Sequence, residues 1–362
     1  MSALVVLVAT FALIESGSLR VKTGFFDKQV EAAHLMKTAL DALAVQRMLL
    51  GIPIDLRVDP NRTGIIGEEL TDLTTTIGNL EAKRTSTNPD LAAVIVKYFH
   101  ELGLNQGDIV AIGASGSFPS VLLAVLCAVE VMELSSVVIY SVGSSMYGGN
   151  IPGFTFLEML SYLRSAGILN SRIVAISPGG ENDTGKGTIM QDFRDYTSRL
   201  AEIHVMEAII EDDLQSSILR RIEIYSEAAR NQRISCFVNI GGADANYGVL
   251  SASLSISPGI VQNTVNIPQH PERGLIFEFL EAGIPVIHLL NIREIALRES
   301  ITIDPVPLPQ LGRSKVYFDR IAPDRLIASA GLVLSFGAGL LINRFSAKAH
   351  RKSKSINHIR SN

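Results

Sequence analysis

DIVAIGASGSFPS, residues Asp108 to Ser120, passes from a β-branched apolar run into a loop of Gly and Ser, then into Pro119, a residue suited to the first turn of a helix. A β-branched apolar run that breaks off into a loop of Gly, Ser, Asn or Asp recurs in SVGSSMYGGN (141–150), SPGGENDTGKG (177–187), NIGGADANYG (239–248) and LLNIRE (289–294). The runs entering these loops are Asp108 to Ile112, Val137 to Tyr140, Arg172 to Ile176, Ile234 to Ile240 and Pro285 to Leu290. Short continuous apolar runs mark strands buried on both faces, and such strands lie parallel with helices between them. In an open parallel sheet, loops at the carboxyl ends share one edge, where ligands bind. The expected fold is α/β: a mostly parallel Rossmann-like sheet with Gly/Ser-rich loops at the strand carboxyl ends, plus terminal membrane helices.

Apolar spacing predicts helices over 119–133, 154–166, 188–200, 212–231 and 272–282, preceded by helices over 25–50 and from Asn88-Pro89 to about Leu102. The run Thr74 to Pro89 (TTTIGNLEAKRTSTNP) is too polar for a core strand and too particular in composition for a linker. The α/β domain therefore covers 25–310, with a helical portion (25–103) and a sheet portion (104–300); Ile301 to Pro309 is proline-rich and extended.

With 362 residues, 47% hydrophobic and 19% charged, the chain can bury a large core. A net charge of -4 and the lack of interleaved aromatic and basic residues set nucleic acid aside as a partner. The absence of Trp weighs against a base-stacking or sugar-stacking platform. Cys127 and Cys236 have no metal-ligand spacing and read as buried small hydrophobes, although a disulfide is open to them in an oxidising compartment.

Both ends of the chain look membrane-like. Leu326 to Ile342 (LIASAGLVLSFGAGLLI) carries no charge and is followed by Arg344, Lys348, Arg351, Lys352, Lys354 and Arg360. This reads as a transmembrane helix (324–345) with a basic cytoplasmic tail (346–362), which places the main domain outside the cytoplasm. At the amino end, Ala3 to Ile14 is apolar apart from Thr10, short for a span, and lacks the basic region of a signal peptide. Residues 1–17 are expected to be a short membrane segment.

Several loops could carry chemistry. Gly113, Ser115, Gly116 and Ser117 lie between a strand and a helix, where backbone N–H groups at the positive helix end suit an anion. Ser117 is placed to cap that helix, and Ser144 and Ser145 follow the next strand. There is no Gly-Lys-Ser/Thr and no GxGxxG spacing, so no nucleotide cofactor is expected. Gly113-x-Ser115-x-Ser117 also approaches a nucleophile elbow, with Ser115 served by a base and acid from Asp183, Asp244, His270 and His288. Ser115, His288 and Asp244 are the catalytic set on that reading, although His288 sits in an apolar strand and equally reads as a satisfied core histidine. Asn182, Asp183, Asn239 and Asp244 offer oxygen ligands, but Asn and Asp also cap turns and no metal-loop spacing accompanies them, so no metal is expected. Lys83 and Arg84 are candidate cations for a carboxylate-rich ligand and equally read as solvated surface charges, and the fifth loop offers Asn291 and Arg293.

TTTIGNLEAKRTSTNPDLAA, DIVAIGASGSFPS, SVGSSMYGGNIPGFT and NIGGADAN together resemble the poly-gamma-glutamate system protein family, from about Phe25 to Arg298. That family is encoded with the ligase and membrane components of poly-gamma-glutamate synthesis, and its short amino-terminal membrane segment matches Ala3 to Ile14 in position. The resemblance implies a role in making, exporting or trimming the polymer, with the polymer, the cell membrane and other membrane components of the system as partners. It supplies no catalytic residues. The expected function is a membrane-anchored accessory component that binds a carboxylate-rich ligand at the loop edge. The alternative is a membrane-anchored serine hydrolase or transferase, with Ser115 attacking the γ-amide and the Gly116 N–H holding the oxyanion.

Overall fold

The computed structural model describes residues 20–248, 256–261, 266–269, 273–320, 329, 332–333, 335–337 and 339–344. Two units result, one of Gly24–Tyr317 and one of the two termini. In the terminal unit, Arg20–Lys22 (β1) pairs antiparallel with Phe318–Arg320 (β11).

The larger unit opens with helix α1 (Phe26–Leu49), strand β2 (Thr74–Thr76) and helices α2 (Leu80–Ser86) and α3 (Asp90–Glu101). Strand then alternates with helix through β3 (Ile109–Ser115), α4 (Pro119–Val131), β4 (Ser135–Ser141), β5 (Ser144–Ser145), α5 (Phe156–Ser165), β6 (Ile173–Ser177), α6 (Phe193–His204) and β7 (Glu207–Ala208). The second half runs α7 (Leu214–Ala228), β8 (Ile234–Ile240), α8 (Asp244–Tyr247), β9 (Gly259–Val261), α9 (Leu275–Glu281), β10 (Val286–Leu289) and α10 (Ile292–Glu299).

Seven strands form one sheet in the order β7-β6-β4-β3-β8-β10-β9, parallel except for the β10–β9 pair. From β3 the chain steps outward to β7, then returns to lay β8 on the other side of β3. That reversal is the topological switch point of a doubly wound sheet, and it puts the crevice between the carboxyl ends of β3 and β8. All seven residues of β3 are buried, as continuous apolar character requires of a central strand.

Helices cover both faces. On one, α4 buries every residue except Glu130 and is covered in turn by α1 and α3, with Ala32, Met36, Ala39 and Leu43 of α1 turned inward. The other face holds Tyr225, Phe237 and Phe279: the two Phe rings stack 4.4 Å apart, and Tyr225 meets both edge-on. Each fully buried aromatic of this kind contributes about 1.5–3 kcal/mol. The Tyr225 hydroxyl also donates to the Ile112 carbonyl at 2.8 Å, tying α7 to β3.

The polar run 74–89 forms regular structure after all. Thr74–Thr76 pairs parallel with β5, and Leu80–Ser86 is a helix capped by Asn79, whose side chain accepts from the Ala82 N–H at 2.9 Å. Its buried Thr74 is tolerated because the hydroxyl is paired: Thr74 Oγ1 accepts from the Thr71 N–H at 2.9 Å and from Asn150 Nδ2 at 3.0 Å. Cys127 and Cys236 are both buried and unbridged. Among the described residues no helix is long and apolar enough to cross a membrane. The expected amino-terminal membrane segment and basic tail lie outside the described residues. Of 324–345 only 329, 332–333, 335–337 and 339–344 are described, all helical.

Candidate functional site

Three neighbouring strands of the seven-stranded sheet end on serine, and the register aligns them. Ser115 of β3 pairs with Ser141 of β4, which pairs with Ser177 of β6. Small polar residues ending adjacent strands leave room above the sheet. A cavity of about 350 Å³ occupies it, lined by Thr75, Thr76, Ser115, Ser117, Ser141, Gly143, Gly179, Gly180, Glu181, Lys186, Gly187 and residues 242–244. Four of the five loops therefore meet here, joined by the Thr-rich strand β2. The fifth does not: Leu290 and Asn291 line a separate cavity of about 350 Å³ with Tyr247, Pro258 and His288. A larger cavity of about 640 Å³ includes Ile234 and Ile284, at the amino ends of β8 and β10, away from the loop edge.

A buried ion pair supports the cavity. Asp183 and Arg221 are fully buried and meet at 2.8 Å. Ser177 donates to Asp183 at 2.7 Å, the Gly179 N–H donates at 3.1 Å, and Arg221 Nη2 reaches Ser141 Oγ at 3.2 Å. Asp183, expected to face a ligand, instead neutralises this guanidinium and shapes the 177–187 loop. Burying either charge alone would be costly, whereas in the pair with its hydroxyls only Arg221 Nη1 lacks a hydrogen-bond partner among the described residues.

Lys83 is also buried, but without a carboxylate. Its ammonium contacts the Ser117 carbonyl, lies 2.8 Å from Ser145 Oγ and sits 3.9 Å over the Phe118 ring. Burial pushes its pKa down to about 7. Ser145 is held in turn by its N–H, which donates to Ser117 Oγ at 3.0 Å. Ser117 thus serves the β5 backbone instead of capping α4, whose N-cap position is Phe118. Ser144 Oγ donates to the Gly116 carbonyl at 3.0 Å. The Gly116 N–H continues the β3–β4 ladder by donating to the Ser141 carbonyl at 2.8 Å, so it is not available to an oxyanion. A Cβ at Gly116 would lie 2.6 Å from the Val142 carbonyl oxygen, which is why the turn requires glycine.

At the rim, Lys186 is exposed and has no carboxylate partner among the described residues. Asp244 faces the same space and accepts the Asn182 N–H at 2.7 Å. Burial raises the Asp244 pKa, and the charges of Asp183 and Glu181 add to this against the Asn182 bond. The Ser117, Gly180, Gly242 and Ala243 N–H groups find no acceptor among the described residues. Among the described residues no three His, Cys, Asp or Glu side chains cluster as metal ligands.

The triad of Ser115, His288 and Asp244 does not assemble. Ser115 Oγ is buried and has no hydrogen-bond partner among the described residues. His288 is in register with Asn239, and Asn239 with Gly113, so His288 sits two strands from β3, roughly 9–10 Å away. It stacks on Tyr247 and accepts from Asn239 Nδ2 at 2.9 Å, and burial drives its pKa down to about 4. His288 is a neutral core histidine. His270 lies outside the described residues. Gly113 gives up its side chain to Asn246, whose amide would meet a Cβ there at 2.5 Å.

Three further expected ligand residues have structural work. Arg84 donates to the Val58 carbonyl at 2.9 Å and pairs with Asp304 at 3.3 Å. Arg293 pairs with Glu81. Asn291, in the left-handed region at φ 58°, caps α10 and donates to Glu294 at 2.9 Å. The expected set omitted Thr75, Thr76, Ser141, Lys186 and the 179–180 glycines. A signal for Ser141 was present, since AIGAS, VVIYS and IVAIS all close on serine. Comparison with protein-family models, curated proteins and solved structures found no match to this chain.

Proposed function

We propose that this chain is a membrane-anchored accessory component of poly-gamma-glutamate synthesis or export, and that it binds the end of a γ-linked glutamate chain in the switch-point cavity. The observation that carries this reading is the mixed polarity of the cavity, which Lys186, hydroxyls and residues whose N–H groups lack an acceptor among the described residues line together with Glu181 and Asp244. A glutamyl end brings carboxylates for the first set and N–H groups for the second, which suits it better than a uniform polyanion. The volume of about 350 Å³ is near the lower end of ligand sites, roughly 300–1,000 Å³, and favours a chain end over a strand passing through.

Anchoring rests on the uncharged run 326–342 with its basic tail, which orients the main domain outward. Leu332, Val333, Phe336, Leu340 and Leu341 are exposed on the described helical residues, and a bilayer would cover them. The hydrolase reading built on Ser115 is weaker, because Ser115 Oγ has no hydrogen-bond partner among the described residues.

Calorimetric titration of the full-length chain with a synthetic γ-glutamyl oligomer tests the proposal. Reversing the free cation with Lys186→Glu should weaken binding about tenfold, ~1.4 kcal/mol. Equal affinity in wild type and variant, or no heat in either, would remove the ligand assignment.

A further inference from the structure

Lys83 and Ser145 have no part in the binding reading, yet their geometry is unusual for side chains that only fill space. Lys83 is 2% exposed, with no Asp or Glu within ion-pair distance among the described residues, and it meets Ser145 Oγ at 2.8 Å. A charged ammonium is costly in such a place, whereas a neutral amine beside a hydroxyl is a base beside its nucleophile. Pairs of this type replace the Ser–His arrangement in some hydrolases.

Position supports the same conclusion. Ser144 is fully buried, but Ser145 is 7% exposed. Ser145 pairs with Thr76 across the short β2–β5 ladder and bonds to Ser117 through its N–H, and both neighbours line the cavity. These bonds fix the Ser145 backbone and leave its hydroxyl to Lys83. The Ser117 N–H finds no acceptor among the described residues, and Ser117 lines the cavity.

We propose that Ser145 and Lys83 form a nucleophile–base pair, reached past Ser117 and Thr76, that cleaves or transfers an amide or ester of a carboxylate-bearing chain. The substrate class rests on the binding reading above; the pair itself does not. Ser145 Oγ attacks the carbonyl carbon while the Lys83 amine takes its proton. The C–N or C–O bond then breaks, and the Lys83 ammonium returns the proton to the leaving amine or alkoxide, leaving an ester on Ser145. Water, or an acceptor amine, attacks that ester; Lys83 takes the incoming proton and restores it to Ser145 Oγ.

A fluorophosphonate probe tests the pair on the full-length chain. Peptide mass spectrometry should find the adduct on Ser145, at a rate that rises about tenfold per pH unit below pH 7 and levels above it, following neutral Lys83. Lys83→Met should slow labelling about 100-fold, and Ser145→Ala should abolish the adduct. The wild-type pH profile needs no variant, so a misfolded mutant does not decide the outcome. No adduct, an adduct on another serine, or a flat pH profile overturns the proposal. Calorimetry reads oligomer binding separately: binding without labelling overturns the pair alone, while labelling at Ser145 without binding supports the pair and overturns only the ligand.

Discussion

Two cations lie buried beside the switch-point cavity, and the chain treats them oppositely. Arg221, on α7, meets Asp183 and the strand-end serines, so its charge is answered where it sits. Lys83, on α2, meets a carbonyl, a hydroxyl and an aromatic face, and nothing negative among the described residues. Guanidinium holds its proton under all ordinary conditions, which suits a permanent strut; an amine sheds its proton when desolvated, which suits a group that must accept one. The difference separates a support from a working part, although both are buried Lys or Arg side chains on helices that pack behind the same loops.

Breaking the support should have the largest effect. Arg221→Met leaves Asp183 buried and unpaired, and should lower unfolding free energy by about 3–5 kcal/mol in a denaturant titration. Loss of under about 1 kcal/mol would erase the distinction between the two cations.

Removing the other cation should move stability the opposite way. Unfolded Lys83 holds its proton up to about pH 10.5, whereas the folded group releases it near pH 7. Between those values the unfolded chain binds more protons, so the penalty from Lys83 is full below about pH 7 and fades as pH rises toward 10.5. Lys83→Met should therefore stabilise the protein, by an amount on the order of 1 kcal/mol at pH 6, with the gain shrinking toward pH 10. A variant less stable than wild type at pH 6 would mean that Lys83 is a support as well.

The fold was legible where each run carried one signal. Continuous apolar runs ending in loops of Gly, Ser, Asn or Asp marked the five inner strands to within a few residues, because a strand buried on both faces has no polar alternation to obscure it. The helix expected over 25–50 is Phe26–Leu49, and that expected over 119–133 is Pro119–Val131. Short elements held by pairing partners were not readable: β2, β7 and β9 span two or three residues each, and α2 depends on its Asn79 cap and on Thr85 and Ser86, which bond to the distant Asp304 and Ser120.

The candidate site divided along similar lines. Its location followed from topology, and Ser115, Ser117 and Asp244 do line the cavity. Charge, however, was read as exposure. Lys83, Arg84, Asp183 and Arg293 are all paired or buried, because a charged residue among small residues reads the same in sequence whether it faces solvent or a partner far along the chain. Asp183 and Arg221 are 38 residues apart, and Lys83 and Ser145 are 62 apart, so neither relation shows as a local pattern.

Hydrogen exchange with and without a γ-glutamyl oligomer tests most directly whether the switch-point cavity is the binding site. Slowed exchange is expected in 113–118, 141–146, 178–187 and 241–245, with no change in 256–258 or 288–294. Protection confined to the second group, or none in the first at saturating oligomer, would contradict it.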